Sequence, residues 1–477
     1  MIEDIALLTA SEMTRRFRAG SLTPLEVMEA VYRRIDALNP ALTAYVALDR
    51  ERAIAAAQVA TERLVRRDGG TLPQLHGVPV SIKDVTPVAG LPLTYGSVLH
   101  EGEVAAEDAL IVQRLRAAGA IVVGKTNTPD FAFGGNTTNA LFGPTRNPWN
   151  LRMTAGGSTG GGAAAVATGM APIAQGTDLG GSLRTPAAFC GIVGFRTTPG
   201  LVPIWPNLLP WDSYNVEGTM ARSVADAALS LAAVAGPDDR APLSYAVDAA
   251  SFLAALDRPS VKGWRVAWTP DLEGLLPVEP EVAAVVERAA GAFRELGARV
   301  DQASPDFREL LETVLPSRGL LMVANHADKL RHRELLPPGL VWNIEQGLAL
   351  TATAIARGET VRGLLWERTR RFFETYDILL LPTEAVAPFP VEQGFPTAIN
   401  GVPLDNPIHW FALAYAITVV GLPAMSVPAG FTGGLPVGMQ IVGRRRREDQ
   451  VIRAAAAFEA ARPWADKVPP TVAALCG

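Results

Sequence analysis

From residue 78 onward the chain alternates short apolar runs with longer segments of helical periodicity, and this limits its folds more than any other feature. VPVSI (78–82) is a strand candidate, DALIVQRLRAAG reads as a helix stopped by Gly119, and AIVVG (120–124) is a buried strand running into Lys125. WRVAW (264–268), the helix PEVAAVVERAAGAFRELG and then ARV (298–300) make a further strand–helix–strand unit. ILLLP (378–382), AMSVP (424–428) and VGMQIV (437–442) are late strands. Short apolar strands joined by helices predict an α/β class with a sheet covered on both faces. Ahead of this, residues 1–66 read as helices. In LTPLEVMEAVYRRIDAL, Thr23 is a candidate N-cap with Pro24 first in the helix and Glu26 completing a capping box. ERAIAAAQVATERLVRR continues until Asp68, Gly69 and Gly70 stop it. Residues 201–260 read as loop and helix insertions, so one domain over 1–477 is expected, although this length admits about two to three.

Composition removes several classes of function. With 43 Lys+Arg against 48 Asp+Glu the net charge is −5, which predicts no nucleic-acid surface. The basic run 444–447 is followed at once by Glu448 and Asp449, and reads as a solvated loop entering a helix. Two cysteines, Cys190 and Cys476, make neither a disulfide framework nor a zinc site. The five histidines (His76, His100, His326, His332, His409) have no ligand spacing, so no metal is expected. MIEDIALLTASEM lacks a basic region followed by an apolar stretch, and no apolar run is long enough for a membrane span. A cytoplasmic protein without membrane contact is expected.

Two glycine-rich segments each hold a single serine: Ser158 in AGGSTGGGAA and Ser182 in QGTDLGGSLR. In the second, a short strand from Pro172 leads through the glycines to a helix with Thr185 as candidate cap and Pro186 first. The amides of Leu179, Gly180, Gly181 and Ser182 then stand ready to surround an oxyanion, each donor being worth about 3–4 kcal/mol in acyl transfer. A phosphate cradle has similar geometry. The Walker pattern, however, needs Lys then Ser/Thr where alanines follow Gly161 and Gly162, and GxGxxG is absent from both segments. A serine nucleophile needs a base. His76 is one candidate, although it also reads as a turn residue before a strand. Lys83 ends the apolar strand VPVSIKD: it either snorkels to solvent or pairs with Asp84, or it is desolvated and acts as the base.

GVPVSIKD, GGSTGG and GTDLGGSLRTPAAFCGIVG together resemble the amidase signature family. GKTNTPDFAFGGNTTN, LFGPTRNPWN, GLPAMSVPAGF and GLPVGMQIVG support the likeness, which runs from about residue 5 to 460. The resemblance implies a large mixed central sheet with helices on both faces and a Ser–cis-Ser–Lys triad without cofactor. Ser182 is then the nucleophile, Ser158 the relay after a cis bond from Gly157, and Lys83 the neutral base. Asp178 and Arg184 match residues that brace the nucleophile loop. Two positions depart from the pattern. Thr159 stands where a second serine is usual and keeps the hydroxyl; Thr418 stands where an asparagine is common, which puts one bracing contact in question.

The resemblance implies hydrolysis of a C–N or C–O bond in a small-molecule amide, ester or carbamate. Tyr95, Phe131, Trp205, Trp211, His409 and Trp410 lie in variable segments that tend to line such pockets, and 201–260 and 305–410 are expected to shape the substrate pocket. If they face the site, an apolar or aryl substrate is favoured, as for an aryl acylamidase or a urethanase. The alternatives are the glutamine-hydrolysing subunit of a tRNA-dependent amidotransferase, against which Thr185 counts, and a non-catalytic binding protein on the same scaffold. A monomer or homodimer is expected.

Overall fold

The computed structural model describes residues 4–66 and 71–476, so the predicted helix stop at Asp68, Gly69 and Gly70 lies outside the described residues. Eleven strands form the central sheet: β1 (Tyr45–Leu48), β2 (Pro79–Lys83), β3 (Ile121–Thr126), β4 (Ile173–Asp178), β5 (Val193–Arg196), β6 (Val216–Ala221), β7 (Arg265–Trp268), β8 (Arg299–Gln302), β9 (Ile378–Pro382), β10 (Ala424–Thr432) and β11 (Leu435–Gly443). Their order is β1-β3-β2-β4-β6-β5-β10-β11-β9-β7-β8. β2 runs parallel to both β3 and β4, and β9 to β7, whereas β10 and β11 are antiparallel, so the sheet is mixed.

The strands alternate between two cores, as a period of two demands. Ile121 and Val123 of β3 pack with Val27, Met28, Val31, Ile35 and Leu38 of α1 (Pro24–Leu42). Val122, with Val80 and Ile82 of β2, faces the opposite side with Ile111 and Leu115. The expected capping box opens α1: Glu26 N–H donates to the Thr23 side chain, and Thr23 N–H to the Glu26 carboxylate. The run 444–447 is an exposed loop before the helix Glu448–Ala461. None of the described helices is long and apolar enough to cross a membrane.

Two features differ from the sequence reading. The segment 201–260 contributes β6, a fully buried strand between β4 and β5, because VEGTMA pairs through its backbone without an apolar run to signal it. The helix after Ser182 is α3 (Arg184–Cys190), capped by Leu183, rather than one capped by Thr185. Thr185 is drawn elsewhere: its N–H donates to the Gly181 carbonyl and its hydroxyl to the Glu384 carboxylate.

Parallel pairing brings the C-terminal ends of β2 and β4 to one edge of the sheet, and Lys83 and Asp178 stand on those ends. Helix α2 (Gly160–Ala167), just after Ser158, is buried throughout and built only of Gly, Ala and Val. A Cβ on Gly161 would stand 2.4 Å from Asn127 N and 2.5 Å from Ala44 O, so only glycine lets α2 sit this close to its neighbours' backbone.

Candidate active site

Lys83 is fully buried at the end of β2, and its Nζ donates to Ser158 Oγ (2.6 Å) and Thr177 Oγ1 (2.9 Å). It neither snorkels nor pairs with Asp84, which is bound instead to the equally buried Lys125 (3.0 Å). Burial lowers the Lys83 amine to about 7, against the upward pull of the Asp178 carboxylate. The Gly157–Ser158 peptide is cis. Thr159 N–H donates to the Ser182 carbonyl (3.2 Å) and so ties the two glycine-rich segments together. The Thr159 hydroxyl lies 3.5 Å from the Thr177 carbonyl. Gly157, Ser158 and Ser182 line one cavity. His76 is not in that cavity; its Nε2 meets the Ala60 carbonyl at 3.0 Å.

The Ser182 loop is anchored by charge. Asp178 pairs with Arg184 (2.9 Å) and Arg196 (3.1 Å), all three fully buried. Burial alone would raise the Asp178 carboxyl, but the two guanidiniums outweigh it and hold the group well below the usual carboxylate range. Arg184 also donates to Gln440 Oε1 and the Ala414 carbonyl (both 2.7 Å) and to Thr418 Oγ1 (2.9 Å), so Thr418 does make a bracing contact. Asp178 Oδ1 accepts from Gly181 N–H (3.0 Å), which commits one of the four amides expected to face an oxyanion. Gly181 itself has φ 127°, and a Cβ there would meet Ala414 Cβ at 2.8 Å. Asp178→Asn removes the one carboxylate in contact with both buried guanidiniums, and is expected to cost about 3 kcal/mol or more of stability. Urea unfolding of the variant against the parent measures this.

The cavity has a volume of ≈ 440 Å³, and Tyr95, Phe131 and Trp205 are among the residues that line it. The Tyr95 and Phe131 rings stack at 6.1 Å with His100 edge-on to both. Trp211, His409 and Trp410 do not line it. Trp211 is 73% exposed on the outer surface. Trp410 is 1% exposed and packs on Phe189, Phe389 and Phe411; a Cβ on Gly135 would strike it at 2.4 Å, so it backs the cavity wall from behind. His409 begins the turn that carries Trp410 inward, and its Nδ1 lies 3.9 Å from Asp405.

Several lining residues escaped the sequence reading. Thr177 shares Lys83 with Ser158, and its position as a hydroxyl at the end of a buried strand was a usable signal. Glu217 pairs with Thr177 across β4 and β6. It is 5% exposed; Oε1 accepts from Gln175 Nε2 (3.3 Å), Oε2 has no partner among the described residues, and burial pushes the acid up to about 8. Helix α4 (Leu310–His326) and the turn after it supply Arg318, Met322, Asn325, His326 and Lys329. Their helical spacing was visible, but an isolated polar face does not say what it borders.

The family model described as Amidase matches residues 26–452. The chain is 41% identical to an acylamidase of Rhodococcus erythropolis over 98% of both proteins. It is 33% identical to a glutamyl-tRNA(Gln) amidotransferase subunit of Roseiflexus sp. (strain RS-1), over 97% of this chain and 98% of that protein. Among solved structures, a bacterial aryl acylamidase belonging to the amidase signature enzymes superimposes with a TM-score of 0.91 at 32% identity, over 99% of both chains.

Proposed function

The chain belongs to the amidase signature family, and from that premise we propose that it is a serine hydrolase of amides with Ser182 as nucleophile. Ser182 Oγ attacks the carbonyl carbon of an amide, ester or carbamate. Its proton passes to Ser158 as the Ser158 proton passes to Lys83 Nζ. The amides of Leu179, Gly180 and Ser182 stabilise the oxyanion, while the Gly181 amide stays with Asp178. Collapse breaks the bond to the leaving group, which takes a proton back through the same relay, and water then releases the acyl group from Ser182. The observation that carries this reading is a buried lysine in hydrogen bond with the serine after the cis peptide, its amine brought to about 7.

The substrate class we propose is an apolar or aryl amide, with esters and carbamates as further substrates. The aromatic wall of Tyr95, Phe131 and Trp205 and the 41% identical acylamidase support it. We further propose that segments 201–260 and 305–410 set specificity, since Trp205, Leu208 and Arg318 belong to them. The amidotransferase-subunit reading is supported by relatives such as the 33% identical subunit, which are less similar to this chain than the acylamidase. A panel of anilides, p-nitrophenyl esters, aryl carbamates and glutamine decides between them. Anilides and aryl esters are expected to exceed glutamine in kcat/KM by about tenfold or more, the value of a buried aryl group in a fitted pocket. Glutamine as fastest substrate, with partner subunits co-purifying, would replace the acylamidase reading by the alternative.

A further inference from the structure

The cavity that holds Ser158 and Ser182 is lined by a guanidinium that forms no salt bridge among the described residues. Arg318 donates through Nε to Asn343 Oδ1 (2.9 Å), and its guanidinium lies 5.0 Å from the centre of the Phe133 ring. Asn343 is itself fixed, its Nδ2 donating to the Gly339 carbonyl (2.9 Å). The Arg318 stem and Nε are thus held, while both terminal nitrogens make no hydrogen bond among the described residues. Arg318 feels the Tyr415 phenol, and its charge helps to hold the nearby His326 imidazole below its ordinary value, so neither neighbour neutralises it. Arg318 is half-buried beside the cavity, and a partly desolvated cation is ordinarily paired, because its desolvation without compensation is costly.

The other charges of the cavity are accounted for. Lys329 Nζ meets Asp328 (3.3 Å) and the Asn325 carbonyl (2.8 Å). Asp212 accepts from the amides of Tyr214 and Asn215, and answers to Arg196 and Arg362. Glu217 lies on β6 with its acid pushed up by burial, toward the uncharged form at neutral pH.

A second orphan stands beside Arg318. Tyr415, on α5 (Ala412–Val419), is 3% exposed, and its hydroxyl has no partner among the described residues. It lines a narrow side pocket with Arg318, Leu179 and Gly180, and these last three also line the main cavity. The side pocket therefore opens beside the loop that carries Ser182. A fixed guanidinium with two free terminal nitrogens matches the two oxygens of a carboxylate, and a nearby phenol adds a third donor.

We propose that Arg318 and Tyr415 form a subsite for a carboxylate borne by the substrate, so that the preferred amide is apolar around the scissile bond and anionic at its far end. This rests on the serine-amidase reading above, and the test separates the two. Two matched pairs are compared by kcat/KM: glutaranilic acid with pentananilide for the acyl side, and N-acetyl-4-aminobenzoate with 4-methylacetanilide for the amine side. The carboxylate member of at least one pair is expected to be faster by about tenfold or more, the usual range for a charge-assisted pair. Arg318→Met is expected to slow that member about tenfold to hundredfold while changing its neutral partner less than about threefold. Arg318→Lys should recover part of the loss, and Tyr415→Phe should lower the same selectivity by a smaller factor.

Neutral members faster in both pairs, or an Arg318→Met variant that slows both members alike, overturns the subsite and leaves the amidase reading standing. A parent enzyme that cleaves no member of either pair overturns both. Should Arg318→Met fail to fold, the unmodified enzyme still decides. The free carboxylates glutarate and benzoate are expected to inhibit hydrolysis of 4-methylacetanilide competitively, at least about tenfold better than glutaramide and benzamide. Equal inhibition by acid and amide overturns the subsite.

Discussion

Ser182→Ala is expected to lower kcat/KM for every hydrolysed substrate by about 10⁴-fold or more, the scale seen when the nucleophile of a serine hydrolase is removed. The substitution is a clean one here. Ser182 is half-buried on the cavity wall, and its hydroxyl makes no hydrogen bond among the described residues, so deletion orphans no partner. Its carbonyl, which accepts from Thr159 N–H, is backbone and unaffected. The stability should therefore move by no more than about 0.5 kcal/mol, and lost activity cannot be assigned to lost fold. Phenylmethylsulfonyl fluoride should label the parent at Ser182 and leave the variant unmodified by mass spectrometry. Full hydrolysis of every tested substrate by Ser182→Ala would overturn the assignment of the nucleophile. Ser158→Ala makes an instructive contrast, since it removes an acceptor from Lys83 Nζ and leaves only Thr177 there.

Sequence alone revealed those parts of this protein whose local pattern matches their burial. Thr23, Pro24 and Glu26 announced α1, and the runs VPVSI and ILLLP announced strands buried on both faces. β6 stayed hidden because Val216–Ala221 interleaves Glu, Gly and Thr with its apolar residues, and its place in the sheet comes from pairing with β4 and β5. The same strand carries Glu217 to the cavity, so missing the strand meant missing the acid. Trp410 shows the converse error. An aromatic in a variable segment suggested a pocket, yet its ring is held in the core by Phe189 and Phe389. The glycine-rich segments were legible as a candidate site because serines on bare backbone have few structural uses. Which amides stay open was not legible, since Asp178 reaches back to Gly181 through a turn whose shape depends on Arg184 and Arg196. Arg318 was hidden for a related reason: a lone arginine in a helix reads as surface until the residues around it are known.

Lys83→Met is the second large effect, and its activity and stability are expected to move in opposite directions. The base must be neutral to take the Ser158 proton. With the amine at about 7, kcat/KM of the parent should rise about tenfold per pH unit below 7 and level off about one pH unit above it. The substitution should lower kcat/KM by about 10³-fold and abolish that limb, because the group that titrates is gone. Labelling of Ser182 by phenylmethylsulfonyl fluoride should slow in proportion. Stability follows from the same burial. The folded amine titrates near 7 and the unfolded one near the ordinary lysine value of 10.5, so between these the unfolded chain holds the extra proton. Stability of the parent therefore rises with pH across that window. The full penalty is present below about 7, and it amounts to about 1.4 kcal/mol for each pH unit that separates the two values. Met removes the penalty but also the bonds to Ser158 and Thr177, which are worth about 1 kcal/mol each. The variant is thus expected to unfold at higher urea than the parent at pH 6, with the gap closing toward pH 10. An enzyme that trades stability for a desolvated base should show both changes together. Unchanged Ser182 labelling in Lys83→Met, or a parent rate that peaks in mild acid, would overturn Lys83 as the base. A variant less stable than the parent at pH 6 would show instead that this lysine is held charged.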